Sequence, residues 1–91
     1  MFLSAASVWE AALKSATGRL TIPAQLDDVG ASMGMSELAI TWRHARRGAV
    51  LPPIHKDPFD RLLVAQALEE GLVLVTRDPL VRQYAVPTLA A

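Results

Sequence analysis

The sequence predicts an α/β fold with a mainly parallel sheet, and three observations carry that prediction. Short apolar runs alternate along the chain with longer segments whose apolar residues recur at helical spacing. The run LVLVT, residues 72–76, has the unbroken apolar composition of a strand covered on both faces, as in a parallel sheet. Helix start and stop signals stand between the runs, the clearest being Asp57-Pro58 and Gly71.

Taken in order, FLSAAS reads as a strand ending in small residues. SVWEAALKSATGRL follows as an amphipathic helix, with Val8, Ala11, Ala12 and Leu20 on one face and a stop near Gly18. IPAQLDDVGASMGM is a second helix, started by Pro23 and weakened by Gly30. ELAIT, residues 37–41, is a strand, and TWRHARRG a short helix ending at Gly48. Pro52 and Pro53 force an extended connection. Asp57 then caps a helix that has Pro58 at its first position, and Phe59, Leu62, Leu63, Gln66 and Ala67 at helical spacing. After the strand LVLVT, a short helix PLVRQY leads to a last extended piece, AVPTLA.

A chain of 91 residues is one small domain, residues 1–91. Its 52% hydrophobic and 20% charged content excludes disorder. That much apolar content in a short chain points to a surface covered by a partner. Nine basic and nine acidic residues cancel, which excludes a globally basic nucleic-acid footprint and leaves room for a local basic rim. The absence of cysteine removes disulfides, thiolate zinc sites and cysteine nucleophiles. No apolar run has the length of a membrane span, and MFLSAASVWE lacks the basic start of a signal peptide. The expected location is the cytoplasm, with no membrane partner.

In an open parallel sheet, ligands bind beyond the C-terminal strand ends, where the following helices begin. Three acids fall at that edge: Glu10 in the first turn after FLSAAS, Asp60 in the first turn after Asp57, and Asp78 directly after LVLVT. Each has a structural reading. Ser7-x-x-Glu10 matches a capping box, Asp60 suits the helix dipole, and Asp78 before Pro79 suits a cap. Their joint placement favours a site, because caps need no common edge whereas a divalent cation needs several oxygens together. Two carboxylates about 5 Å apart repel by roughly 3 kcal/mol at an effective dielectric near 20, so such a cluster calls for a neutralising cation. The matching chemistry is metal-assisted attack of water on a phosphodiester. Asp57 is read as a cap alone.

These residues also carry a resemblance. SAASVWEAALKSATGRL, LPPIHKDPFDRLLVAQALEEGLVLVTRD and the tail YAVPTL resemble VapC-type toxins, the PIN-domain ribonucleases of bacterial toxin–antitoxin pairs, over nearly the whole chain. The resemblance implies a three-layer PIN-like fold, RNA cleavage dependent on Mg²⁺ or Mn²⁺, homodimerisation, and inhibition by a VapB-like antitoxin. It matches the family's second, third and fourth acids to Glu10, Asp60 and Asp78 as metal-binding and catalytic residues. The family's first acid, on a central strand at the start of the domain, has no counterpart here. The expectation is an N-terminally incomplete PIN-like domain, whether by fragmentation, a misassigned start or gene decay.

Arg61 and Arg77 flank the acids and are candidates to touch RNA or orient a carboxylate. Arg43, Arg46 and Arg47 read as a solvated helix face, and Trp9 and Trp42 as core or interface residues. His44 reads as structural; His55, two residues before Asp57, could approach substrate, although a lone histidine beside a turn is more often structural. No Ser-His-Asp arrangement, phosphate loop or dinucleotide fingerprint is present. The competing functional reading is a non-catalytic remnant that dimerises or binds antitoxin without cleaving RNA.

Overall fold

In the computed structural model, which describes residues 1–18, 25–76 and 78–90, short parallel strands and helices combine as expected of an α/β chain, although helices follow one another twice without a strand between them. They group into two units, Met1–Ile40 and Thr41–Ala91. Leu20, Pro23 and Arg77 lie outside the described residues.

The first unit contains strand β1 (Phe2–Ser4), helices α1 (Ala5–Ala16) and α2 (Leu26–Ser32), and strand β2 (Ser36–Leu38). β1 and β2 pair in parallel, with Leu3 opposite Glu37. The expected strand FLSAAS stops at Ser4, because the Ser4 hydroxyl accepts the Ala6 amide at 3.0 Å and so caps a helix that Ala5 and Ala6 readily enter. This corrects the expectation for Glu10. The helix starts earlier than anticipated, Ser7 is an interior residue and not a cap, and no acid occupies the first turn of α1. α2 is shorter than the segment read as helical. Gly34 takes a positive φ of 78° and turns the chain, and the Met35 amide folds back onto the Gly30 carbonyl. Gly30 is itself buried, and a Cβ there would lie 2.7 Å from Leu3 Cδ2, so α2 approaches β1 closely at this point. Leu3, Val8, Trp9, Met35 and their neighbours line an apolar hollow of about 440 Å³ within this unit.

The second unit holds α3 (Trp42–Val50), α4 (Pro58–Glu70), β3 (Leu74–Thr76), a 3₁₀ turn (Val81–Gln83) and β4 (Thr88–Ala90). Thr41, read as the end of a strand, instead caps α3. Its Oγ1 accepts the His44 amide at 3.2 Å, and His44 Nδ1 accepts the Thr41 amide at 3.1 Å. A histidine thus fills the reciprocal role that Glu or Gln has in a capping box. His44 is buried and structural as expected, and its Nε2 reaches Glu70 Oε1 at 2.8 Å. α3 continues past Gly48 to Val50, and Leu51 is extended before Pro52.

α4 follows its sequence signals at both ends. Asp57 Oδ1 accepts the Phe59 amide at 2.9 Å, Pro58 takes the first position, and Gly71 closes the helix in the left-handed conformation. β3 and β4 pair in parallel, with Val75 opposite Leu89. The core of this unit is Val64, Ala67, Val81, Tyr84 and Val86, with Leu51, Ile54, Leu68, Leu72 and Leu74 packed on it. β3 takes only Leu74–Thr76 of the expected strand LVLVT, and within this unit's described residues the run is covered on one face. Leu72 and Leu74 point into the core, while Val73 and Val75 are 54% and 57% exposed on the opposite face. Trp9 and Trp42 are also exposed, so neither is a core residue. Among the described residues, no helix is long and apolar enough to cross a membrane.

Gly71 has φ 66°, and a Cβ added there would meet no atom within 4 Å, so only the backbone opposes a side chain at this position. Gly71→Ala is expected to lower stability by about 1 kcal/mol, read as a lower urea midpoint at unchanged slope. Gly71→Asn should lose less, since asparagine tolerates this conformation.

Candidate functional site

Three side chains converge in the second unit. Asp60 sits in the first turn of α4, Asp78 lies just beyond β3, and His55 belongs to the extended connection ahead of α4. His55 Nε2 is 2.7 Å from Asp78 Oδ2 and 3.2 Å from Asp60 Oδ2. The potential ligand atoms of the three residues all lie within 4.8 Å of one another. The two acids that the sequence pattern selects in this unit are therefore brought together, with a histidine between them.

Local structure explains each placement. Asp78 does not cap the last helix as Pro79 suggested: the cap position of the 3₁₀ segment is Leu80, and Asp78 Oδ1 instead braces the turn ahead of it by accepting the Leu80 amide at 2.8 Å. Thr76 Oγ1 accepts the Asp78 amide at 3.0 Å, so the strand end fixes the Asp78 backbone as well. One carboxylate thus braces a turn and faces the site. His55 is held by its own backbone: its amide donates to the Tyr84 hydroxyl at 2.9 Å, and that hydroxyl donates to the Pro52 carbonyl at 2.9 Å. The Asp57 amide donates to His55 Nδ1 at 3.0 Å. Asp57 keeps its role as a cap and adds a second one, aiming the imidazole.

Arg61 supports this connection from beneath. Its Nη2 donates to the carbonyls of Gly48 at 2.8 Å and Leu51 at 2.9 Å. Its Nη1 is shared between the carbonyls of Pro52 and His55, at 3.1 and 3.2 Å, and the Tyr84 hydroxyl at 3.4 Å. The guanidinium of this candidate RNA-contacting residue is thus turned onto the backbone that carries His55. Glu10 lies in the first unit, where its Oε2 pairs with Lys14 Nζ at 3.0 Å, an i,i+4 helix contact. The basic group on α3 is exposed, with Arg47 paired to Glu69 at 3.0 Å.

Electrostatics couple His55 to the acids. The hydrogen bond to Asp78 raises the His55 pKa above its ordinary 6.5, with Asp60 adding to the rise and burial opposing it. The Asp57 carboxylate adds to the rise as well. The His55 contact and the Leu80 amide hold the Asp78 carboxyl below its ordinary 3.8. The carboxylate repulsion expected from the sequence is therefore offset within the chain itself, by an imidazole that a purely acidic pattern overlooks. A readable signal existed. In HKDPFD the histidine stands two residues ahead of the helix cap, where its ring can face the first turn.

The PIN domain family profile matches residues 1–87, and the chain belongs to the PIN domain family. No curated protein and no solved structure matches it. PIN domains are in general metal-dependent nucleases. The donor set on Asp60 and Asp78 suits such an ion, since carboxylate oxygens are the ligands that hard divalent cations take.

Replacing Arg61 by lysine leaves one ammonium where a planar fork now serves several carbonyls. Arg61→Lys is expected to cost about 2 kcal/mol, seen as a Tm lower by roughly 8–16 °C. The His55–Asp78 link has a pH signature. A raised histidine pKa stabilises below 6.5 and loses this as pH rises through the folded value; a lowered aspartate pKa stabilises above 3.8 and loses this as pH falls through the folded value. Without added metal, the stability difference between the parent chain and His55→Gln should peak between those limits in urea titrations across pH.

Proposed function

We propose that this chain is a metal-dependent endoribonuclease of the VapC toxin type, hydrolysing RNA phosphodiester bonds. The observation that carries this reading is the convergence of Asp60 and Asp78 in a chain of the PIN domain family. Asp60 and Asp78 would hold Mg²⁺ or Mn²⁺, and Glu10 is kept as the third acid on the sequence pattern alone. A bound divalent cation supplies polarisation of the phosphate and a lowered pKa for attacking water. The chain's own part is to present two carboxylates at fixed spacing, with Asp78 tied at both oxygens by His55 and the Leu80 amide.

Several finer features belong to the same reading. The three-layer PIN-like architecture rests on the resemblance, and is supported by the parallel pairing of both short ladders among the described residues. Homodimerisation and capture by a VapB-like antitoxin in the cytoplasm are supported by exposed apolar side chains such as Phe2, Trp9, Leu13 and Trp42. Residues 1–91 are taken as one PIN-like domain, because the family match runs through both units. Arg77 is retained as an RNA-contact candidate from its place in the sequence.

A second reading has its own observation. His55 Nε2 already lies within 3.2 Å of both carboxylates and bonds Asp78 without a cation, which is what a non-catalytic dimerisation or antitoxin-binding module would retain. RNA cleavage in the presence of Mn²⁺ separates the two. The nuclease reading expects cleavage that chelation abolishes, with Asp60→Asn and Asp78→Asn each about 100-fold slower or worse. Equal cleavage by parent and variants defeats the metal-site assignment, and no cleavage by the parent favours the interaction module.

A further inference from the structure

Both ring nitrogens of His55 are engaged, and their partners differ in kind. Nδ1 faces the Asp57 main-chain amide at 3.0 Å. A backbone N–H can only donate, so in the neutral ring Nδ1 is the acceptor and Nε2 carries the proton. That amide cannot turn away easily, because Asp57 is also the cap of α4, its Oδ1 accepting from Phe59. The histidine backbone is pinned on both sides, through its amide to Tyr84 and its carbonyl to Arg61. The Nε2–H is therefore aimed at Asp78 Oδ2 and Asp60 Oδ2, at 2.7 and 3.2 Å.

We infer that His55 is a positioning residue of the cation site and not one of its ligands. The inference rests on the reading of Asp60 and Asp78 as metal-binding. To ligate a cation through Nε2 the ring would have to move its proton to Nδ1, which sets two N–H groups against each other at Asp57. Left as it is, the ring gives one donor to the gap between the two carboxylates and sets their spacing. Each carboxylate oxygen has two lone pairs, so an oxygen that accepts from His55 can still face a cation. The protein donors to the ion are then oxygens alone. Such a set favours Mg²⁺ or Mn²⁺ over Zn²⁺, for which an imidazole nitrogen would be an asset.

Two measurements test this. In the metal-free parent chain, long-range ¹H–¹⁵N correlation at alkaline pH should show His55 as the Nε2–H tautomer; the Nδ1–H tautomer overturns the inference. With Mn²⁺ as the probe, pulsed electron paramagnetic resonance should show no directly bound ring nitrogen, and a directly bound nitrogen lost in His55→Gln overturns it. Mn²⁺ affinity should fall roughly tenfold in His55→Ala and recover in His55→Gln, whose amide can supply the same donor. Equal affinity in the parent and His55→Ala, or no recovery in His55→Gln, counts against the positioning role. Asp60→Asn reports on the other premise: if it binds Mn²⁺ as well as the parent does, the cation site itself fails, while the tautomer result still stands or falls alone.

Discussion

The second unit depends on what Arg61 does for a stretch of backbone that cannot satisfy itself. Between α3 and α4 the chain reads L-P-P-I-H, and its two prolines have no amide hydrogen to donate. The last carbonyls of α3 have no partner within their own helix either. A planar guanidinium reaching Gly48, Leu51, Pro52 and His55 supplies the missing donors from one side chain. Tyr84 adds its hydroxyl at the same place, donating to Pro52 and accepting from His55. Core and connection are thereby joined, since Tyr84 is also part of the apolar cluster.

From that clamp the site follows. The His55 backbone is fixed, the Asp57 amide directs its ring, and the ring meets Asp60 and Asp78. Two of these acids serve more than one purpose. Asp57 caps α4 and orients His55, while Asp78 braces the turn before the 3₁₀ segment and faces the imidazole. A helix start provides aligned amides and a favourable dipole for carboxylates, so capping and ligand binding draw on the same residues. At Asp57 the cap serves the site through its amide, whereas Asp78 enters the site while bracing a turn and without capping a helix.

Apolar content finds a partial explanation. The described residues bury a small cluster and leave Trp9, Trp42, Val73 and Val75 more than half exposed. For Val73 and Val75 the cause is the two-residue period of a strand with one covered face. A continuous apolar run says that both faces tolerate hydrophobic residues; it does not say that both are covered within the same chain.

Local signals determined α4 almost residue by residue. Asp57, Pro58 and Gly71 mark it by conformational preferences that act within a few residues, and the same holds for the alternation of helix and strand. Where two local signals compete, one prevails over the pattern: Ser4 caps α1 ahead of Ser7, and Thr41 caps α3 in place of ending a strand. The acids Asp60 and Asp78 were legible as a pair because each stands at a strand-to-helix junction. The place of His55 two residues ahead of the Asp57 cap was legible too, but its meeting with both acids, and the turning of Arg61 onto the backbone, were not. Both depend on distances across the fold, 2.7 Å from His55 to Asp78 and 2.8 Å from Arg61 to Gly48, between residues separated by many positions in the chain. Sequence determined which groups could cap, stop or ligate; tertiary structure decided which of them meet, because hydrogen bonds and charge act over a few ångströms whatever the separation along the chain.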